Sequence, residues 1–151
     1  MFGEAEELAE RMGVAIRVGT PPHGWWGCWD PDTRTITLHR ALARLQGRST
    51  LWHELGHAHY NHVGHTGRGE RQAKIWAARH LITVETFIQA GQIDGRRQAM
   101  AAQLEVLERD VEAFTWSLTP AERVMVALSV DTGYPVDNVN APGILCPGLF
   151  R

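Results

Sequence analysis

The sequence predicts an α+β fold in a single domain: a small antiparallel sheet near the N-terminus, a helix carrying His53-Glu54-Leu55-Gly56-His57, and a helical C-terminal part. Three observations carry that prediction. Between Val14 and Leu38, one short run alternates in the period-two pattern of a half-buried strand, and two more flank the turn sequence Asp30-Pro31-Asp32. Beyond Ser49, apolar residues recur at the three-to-four spacing of helices facing a core. Five of the eight histidines, His53, His57, His59, His62 and His65, fall in one short stretch of that helical region.

Taken in order, Glu4 to Met12 reads as a first helix, with Leu8, Ala9 and Met12 on one side and Gly13 as its stop. Val14 to Val18 reads as a strand, and the Gly19-Thr20-Pro21-Pro22-His23-Gly24 stretch as a loop. Trp25 to Trp29 and Thr33 to Leu38 flank Asp30-Pro31-Asp32 and read as a β-hairpin. After a connection over 39–46, a helix is expected from Ser49 or Thr50, plausible caps, to about Asn61; a start several residues earlier fits equally. Gly64, Gly67 and Gly69 break the pattern, and a second helix is expected near Glu70, with Ala73, Trp76, Ala77 and Leu81 at helical spacing. The chain then reads as helical to Val130, in three or four pieces divided near Gly91, Val106 and Thr119-Pro120, before an irregular Pro/Gly-rich tail from Asp131. Residues 1–130 are thus the expected domain (core about 14–90, helical part 91–130), and 131–151 its tail.

Composition narrows the function. The 151 residues are 44% hydrophobic and 21% charged, as in a soluble globular protein, and contain no apolar run that could span a membrane. The N-terminal Glu4, Glu6, Glu7 and Glu10 oppose a signal peptide. A net charge of −2 offers no general field for nucleic acid. Cys28 and Cys146 are too far apart in sequence for a metal-type pair, so a reduced, cytoplasmic setting is expected.

On a helix, at about 100° per residue, His53 and His57 lie one turn apart on one face and can reach one ion. Two neutral imidazoles with a nearby carboxylate suit Zn²⁺, which lowers the pKa of a coordinated water towards 7. Glu54, on a neighbouring face, can take a proton from that water and pass it to a leaving amine. A catalytic zinc needs a third protein ligand. His59 points about 160° away on a continuous helix, and His62 is also poorly aligned. A glycine-turn arrangement would need Gly and His where the chain has Tyr60 and Val63. His65 qualifies if its loop folds back. Glu70 qualifies if its helix packs antiparallel on the first, and it is the preferred candidate.

Leu51-Trp52-His53-Glu54-Leu55-Gly56-His57, followed by Glu70-Arg71-Gln72-Ala73-Lys74-Ile75-Trp76-Ala77-Ala78 and the apolar His80-Leu81-Ile82, resembles the ImmA/IrrE metallopeptidase family. The strand ending Thr35-Ile36-Thr37-Leu38 matches the family's layout, and the likeness spans roughly 14–90. The resemblance implies a zincin-like fold with a gluzincin-type site: His53, His57 and Glu70 on one Zn²⁺ per chain, and Glu54 as general base. It also implies cleavage of a specific protein, a transcriptional repressor or similar regulator, often in phages or mobile elements. The chain departs from the family at Lys74, where Asn or Asp is usual; a lysine cannot accept a hydrogen bond from a ligand histidine.

Other features take second place. Strand Thr33 to Leu38 either pairs with an extended substrate or simply covers the core. Trp52 and Trp76 read as core, while Trp25 and Trp26 are candidates for a substrate wall. Tyr60 and His80 are candidate oxyanion partners, although packing explains both. Met100 to Leu118 resembles a helix-turn-helix, but Glu105, Glu108, Asp110 and Glu112 outnumber Arg109, which disfavours DNA. The expected function is a cytoplasmic zinc metallopeptidase acting on a protein substrate. The alternatives are a zinc-containing regulatory protein acting by association, and a structural zinc site with a fourth protein ligand such as His65.

Overall fold

The computed structural model describes residues 3–64 and 66–130; His65 and the expected tail 131–151 lie outside the described residues. The fold is α+β, with seven helices and a three-stranded sheet among the described residues. No helix there is long and apolar enough to cross a membrane. The chain divides into two compact units between Leu81 and Ile82.

In the first unit, α1 (Glu4–Arg11) leads through Gly13, at φ +65°, into β1 (Ala15–Gly19). β2 (Gly27–Asp30) and β3 (Thr35–His39) form the expected antiparallel hairpin. Its turn is built by the Asp30 carboxylate, which accepts from the Asp32 and Thr33 amides and, at 2.7 Å, from the Thr33 hydroxyl. The Thr33 hydroxyl, foremost among these bonds, holds the Asp30 carboxyl below its ordinary pKa. Arg34, at φ +49°, sends its guanidinium back to the Met12 and Gly13 carbonyls and ties the turn to the end of α1.

The sheet differs from a wholly antiparallel one. Its order is β1-β3-β2, and β1 pairs with β3 in parallel. Residues 20–34 supply a connection long enough for a parallel pairing, because β2 is laid down on the far side within it. β3 is therefore central. The segment expected to offer a free edge to substrate is paired on both sides, and β1 and β2 are the edges.

α2 (Arg44–His59) starts earlier than Ser49. The Gln46 side chain reaches back to accept from the Ala43 amide at 3.0 Å, so the end is closed without Ser49 or Thr50, which are buried inside the helix. One side of α2 packs Leu51, Trp52, Leu55 and Ala58 against Trp29, Ile36 and Leu38 of the sheet and Ala5 and Ala9 of α1.

α3 (Gly67–Leu81) also begins ahead of expectation. Gly67 and Gly69 lie in its first turn instead of breaking it, because the Thr66 hydroxyl accepts from the Gly69 amide and the Thr66 carbonyl from the Glu70 amide. A Cβ at Gly56 of α2 would lie 3.0 Å from the Ala73 Cα and carbonyl oxygen, so two small residues let α2 and α3 approach closely. Trp52 stacks on His80, Gly56 meets Ala73 and His57 meets Glu70, which makes the helices antiparallel. Trp52 is core as expected; Trp76 is half-buried against that core.

The second unit holds α4 (Val84–Ile93), α5 (Arg97–Leu104), α6 (Glu108–Ser117) and α7 (Pro120–Val130). Gly91 lies within α4, and the division falls at Asp94; the breaks near Val106 and Thr119-Pro120 are as expected. Phe87 and Phe114, rings 5.0 Å apart, centre a core with Met100, Val111 and Val126. Thr119 and Glu122 cap α7 reciprocally. Arg97 is paired with Glu108 and Glu112, so the acidic face of α6 holds a nearby cation of α5.

Candidate metal centre

α2 and α3 bring three donor groups together. His53 Nε2 lies 3.2 Å from one Glu70 carboxylate oxygen, and His57 Nε2 lies 3.2 Å from the other. The two Nε2 atoms are themselves 3.2 Å apart. The rings meet edge to face at 88°, as expected for residues one turn apart aimed at a common point. Among the described residues, His53, His57 and Glu70 form the group of His, Cys, Asp or Glu donors arranged to hold a metal ion.

The donor set can be tested for fit against zinc. With bonds of about 2.0–2.2 Å and tetrahedral angles, protein donors around Zn²⁺ lie about 3.3 Å from one another. The triangle observed here has nearly that size, with two imidazoles and one carboxylate, a borderline donor set suited to Zn²⁺. It fits.

Burial grades the three. The His57 side chain is 5% exposed, His53 18% and Glu70 29%, so the site opens on the His53–Glu70 side. Glu54 is buried between α2 and the start of β2. Ideal Cβ placement at Gly27 falls 2.9 Å from Glu54 Cγ and 3.0 Å from its Oε1. Cys28, next along β2, has its thiol pKa pushed up by burial and, after that, by the negative charge of Glu54.

The remaining sequence candidates fall elsewhere. His59 is exposed and stacks on Trp76 at 5.2 Å, away from its neighbours' common point. His80 stacks on Trp52, lies tilted against Trp76 and bonds the Trp76 carbonyl, and Tyr60 lies against the rings of His59 and His62. Lys74 is exposed on α3.

Sequence reasoning weighed His62 only as a ligand and passed over Gln72 and Gly27. His62 does not join the donor triangle. Its Nδ1 lies 3.0 Å from Nδ1 of His57, the ring nitrogen opposite the triangle, and its Nε2 lies 3.3 Å from the Gln72 Oε1. The signal for this was Asn61, a residue type that readily takes the left-handed conformation after a helix.

A family comparison decides the lineage. Residues 6–112 match the model of the Peptidase_M78 family, the IrrE N-terminal-like domain. The chain belongs to the Peptidase_M78 family. The matched span covers the sheet, α2 and α3, and with them every residue of the donor triangle. Membership in Peptidase_M78 supports a metallopeptidase type of function, in agreement with the resemblance read from the sequence. No curated protein and no solved structure matches the chain.

Proposed function

We propose that this Peptidase_M78 chain is a zinc-dependent endopeptidase that cuts a specific protein. The observation that carries the reading is the 3.2 Å triangle of His53 Nε2, His57 Nε2 and the Glu70 carboxylate, with a buried glutamate, Glu54, next to His53 on the same helix. His53, His57 and Glu70 would hold the ion. When bound, Zn²⁺ supplies Lewis acidity to water and to the scissile carbonyl. Glu54 accepts the proton of the attacking water and delivers it to the departing amine as the C–N bond breaks. Its place against β2 shields it from bulk solvent and keeps it from swinging out.

The substrate strand fits β2 better than β3. β2 is an edge, and its first residue, Gly27, touches Glu54. An extended peptide added along that edge would run beside the general base, held by main-chain hydrogen bonds. Trp25 and Trp26, 37% and 40% exposed at the entrance to β2, would wall that path. By its family resemblance, the substrate is a transcriptional repressor or similar regulator, met in the reducing cytoplasm.

Glu54→Gln tests the proposal. The variant should bind one zinc per chain as the parent does and lose hydrolysis of the cellular target. A biological effect that survived the change would instead support action by association, and zinc held by a fourth protein ligand would establish a structural site.

A further inference from the structure

We infer that His62 and Gln72 are positioning residues that orient His57 for metal binding. The inference rests on the metal-site reading above and adds the means by which His57 is aimed.

The local fold builds the contact. α2 ends in a Schellman turn: Asn61, at φ +51°, donates its amide to the Ala58 carbonyl, and the His62 amide donates to the His57 carbonyl at 2.9 Å. The left-handed residue reverses the chain and lays His62 back over the last turn of the helix. The side chain then repeats the backbone's connection, with Nδ1 of His62 3.0 Å from Nδ1 of His57. His62 is confined in turn. Its ring stacks on Tyr60 at 18°, its edge faces Gly69, where a Cβ would lie 3.3 Å from Nδ1, and its Nε2 lies 3.3 Å from Gln72 Oε1.

Proton accounting gives the chain one direction. A metal ligand needs a bare Nε2 on His57, so the proton of the neutral ring sits on Nδ1. That N–H donates to Nδ1 of His62, which must be bare. The His62 proton therefore sits on Nε2 and donates to the carbonyl oxygen of Gln72. Each of the three groups has a partner in this arrangement, and the reverse arrangement would put a proton on His57 Nε2, where the ion belongs. Gln72 lies two residues beyond Glu70, so the chain also links the α2 ligand to the helix that carries the third ligand. A partner on the far ring nitrogen of a ligand histidine commonly changes metal affinity 10–100-fold.

The experiment compares zinc affinity, by competition with a chromophoric chelator, in the parent, His62→Ala, His62→Asn and Gln72→Ala. His62→Ala should bind zinc about 10–100-fold more weakly. His62→Asn, whose Oδ1 can replace the lost acceptor, should recover much of that loss. Gln72→Ala should fall between. In the zinc-loaded parent, nitrogen-resolved NMR should show the His57 Nδ1 proton, slowed in exchange by its bond, and His62→Ala should lose that protection. Parent protein that binds no zinc would remove the metal-site reading itself. Parent that binds zinc, with His62→Ala binding as tightly or His62→Asn rescuing nothing, would overturn the positioning role alone.

Discussion

Gly27 of β2 sits against Glu54 of α2 with no room for a side chain: a Cβ there would meet Thr50 Cγ2 at 2.5 Å and Glu54 Cγ at 2.9 Å. The sheet edge thereby fixes the carboxylate expected to move protons. Gly27→Ala should displace Glu54 while leaving the donor triangle intact. We expect zinc binding close to the parent's, a stability loss of about 1–3 kcal/mol from overpacking, and hydrolysis reduced about 100-fold. Chelator competition, denaturant unfolding and a cleavage assay measure the three; unchanged cleavage would separate Gly27 from the chemistry.

A second close approach should give the opposite pattern. Gly56→Ala puts a Cβ 3.0 Å from the backbone of Ala73, which cannot step aside as a side-chain tip can. Helix propensity favours the alanine by about 1 kcal/mol, and the overpacking of about 1–3 kcal/mol outweighs it. Because α3 carries Glu70, the displaced helix should take the third donor from the triangle. Zinc affinity should therefore fall along with stability, whereas Gly27→Ala costs stability without affinity. Tight zinc binding in Gly56→Ala would show that α3 accommodates the change without moving Glu70.

The Cys28 thiol reports on the charge of Glu54. Burial raises its pKa first, and the negative charges of Glu54 and then Asp30 raise it further. Only the thiolate is alkylated, so the rate for Cys28 should climb at a higher pH than for an ordinary cysteine. Glu54→Gln removes one of the two charges and should move the midpoint down, though not to the ordinary value, since burial remains. Iodoacetamide labelling against pH, read by mass spectrometry on the Cys28 peptide, measures this. A midpoint that did not move would mean that Glu54 is not ionised beside the thiol, and a protonated Glu54 cannot be a general base.

What the sequence revealed of the site, and what it hid, follow from the range of the interactions. His53 and His57 could be paired because a helix places residues four apart on one face, and Glu70 could be reached by requiring an antiparallel neighbour. Local reading was less sure where one residue redirects the chain. Thr66 closes α3 early enough to hold two glycines that looked like breakers, and Asn61 turns His62 from a misaligned ligand candidate into a neighbour of His57. The pairing of β1 was not visible. Alternation marked β1 and the Asp30-Pro31-Asp32 turn marked the β2–β3 hairpin, but nothing in a strand's own sequence says that β1 lies parallel to β3 and leaves β2 as the edge beside Glu54.

The donor triangle makes a prediction about stability as well as binding. An ion bound to the folded chain and not to the unfolded one stabilises by mass action, by about 4 kcal/mol when free zinc is 1,000-fold above the dissociation constant. The apparent Tm of the parent should thus rise with each increment of zinc. In Glu70→Ala and His53→Ala the rise should vanish, and zinc content should fall well below one per chain. Glu54→Gln should keep both, because Glu54 lies outside the triangle. Thermal scans across a zinc series, with elemental analysis of each variant, distinguish the roles of adjacent residues on one helix. A zinc-dependent rise that persisted in Glu70→Ala would put the third ligand elsewhere, with His65 the first residue to replace.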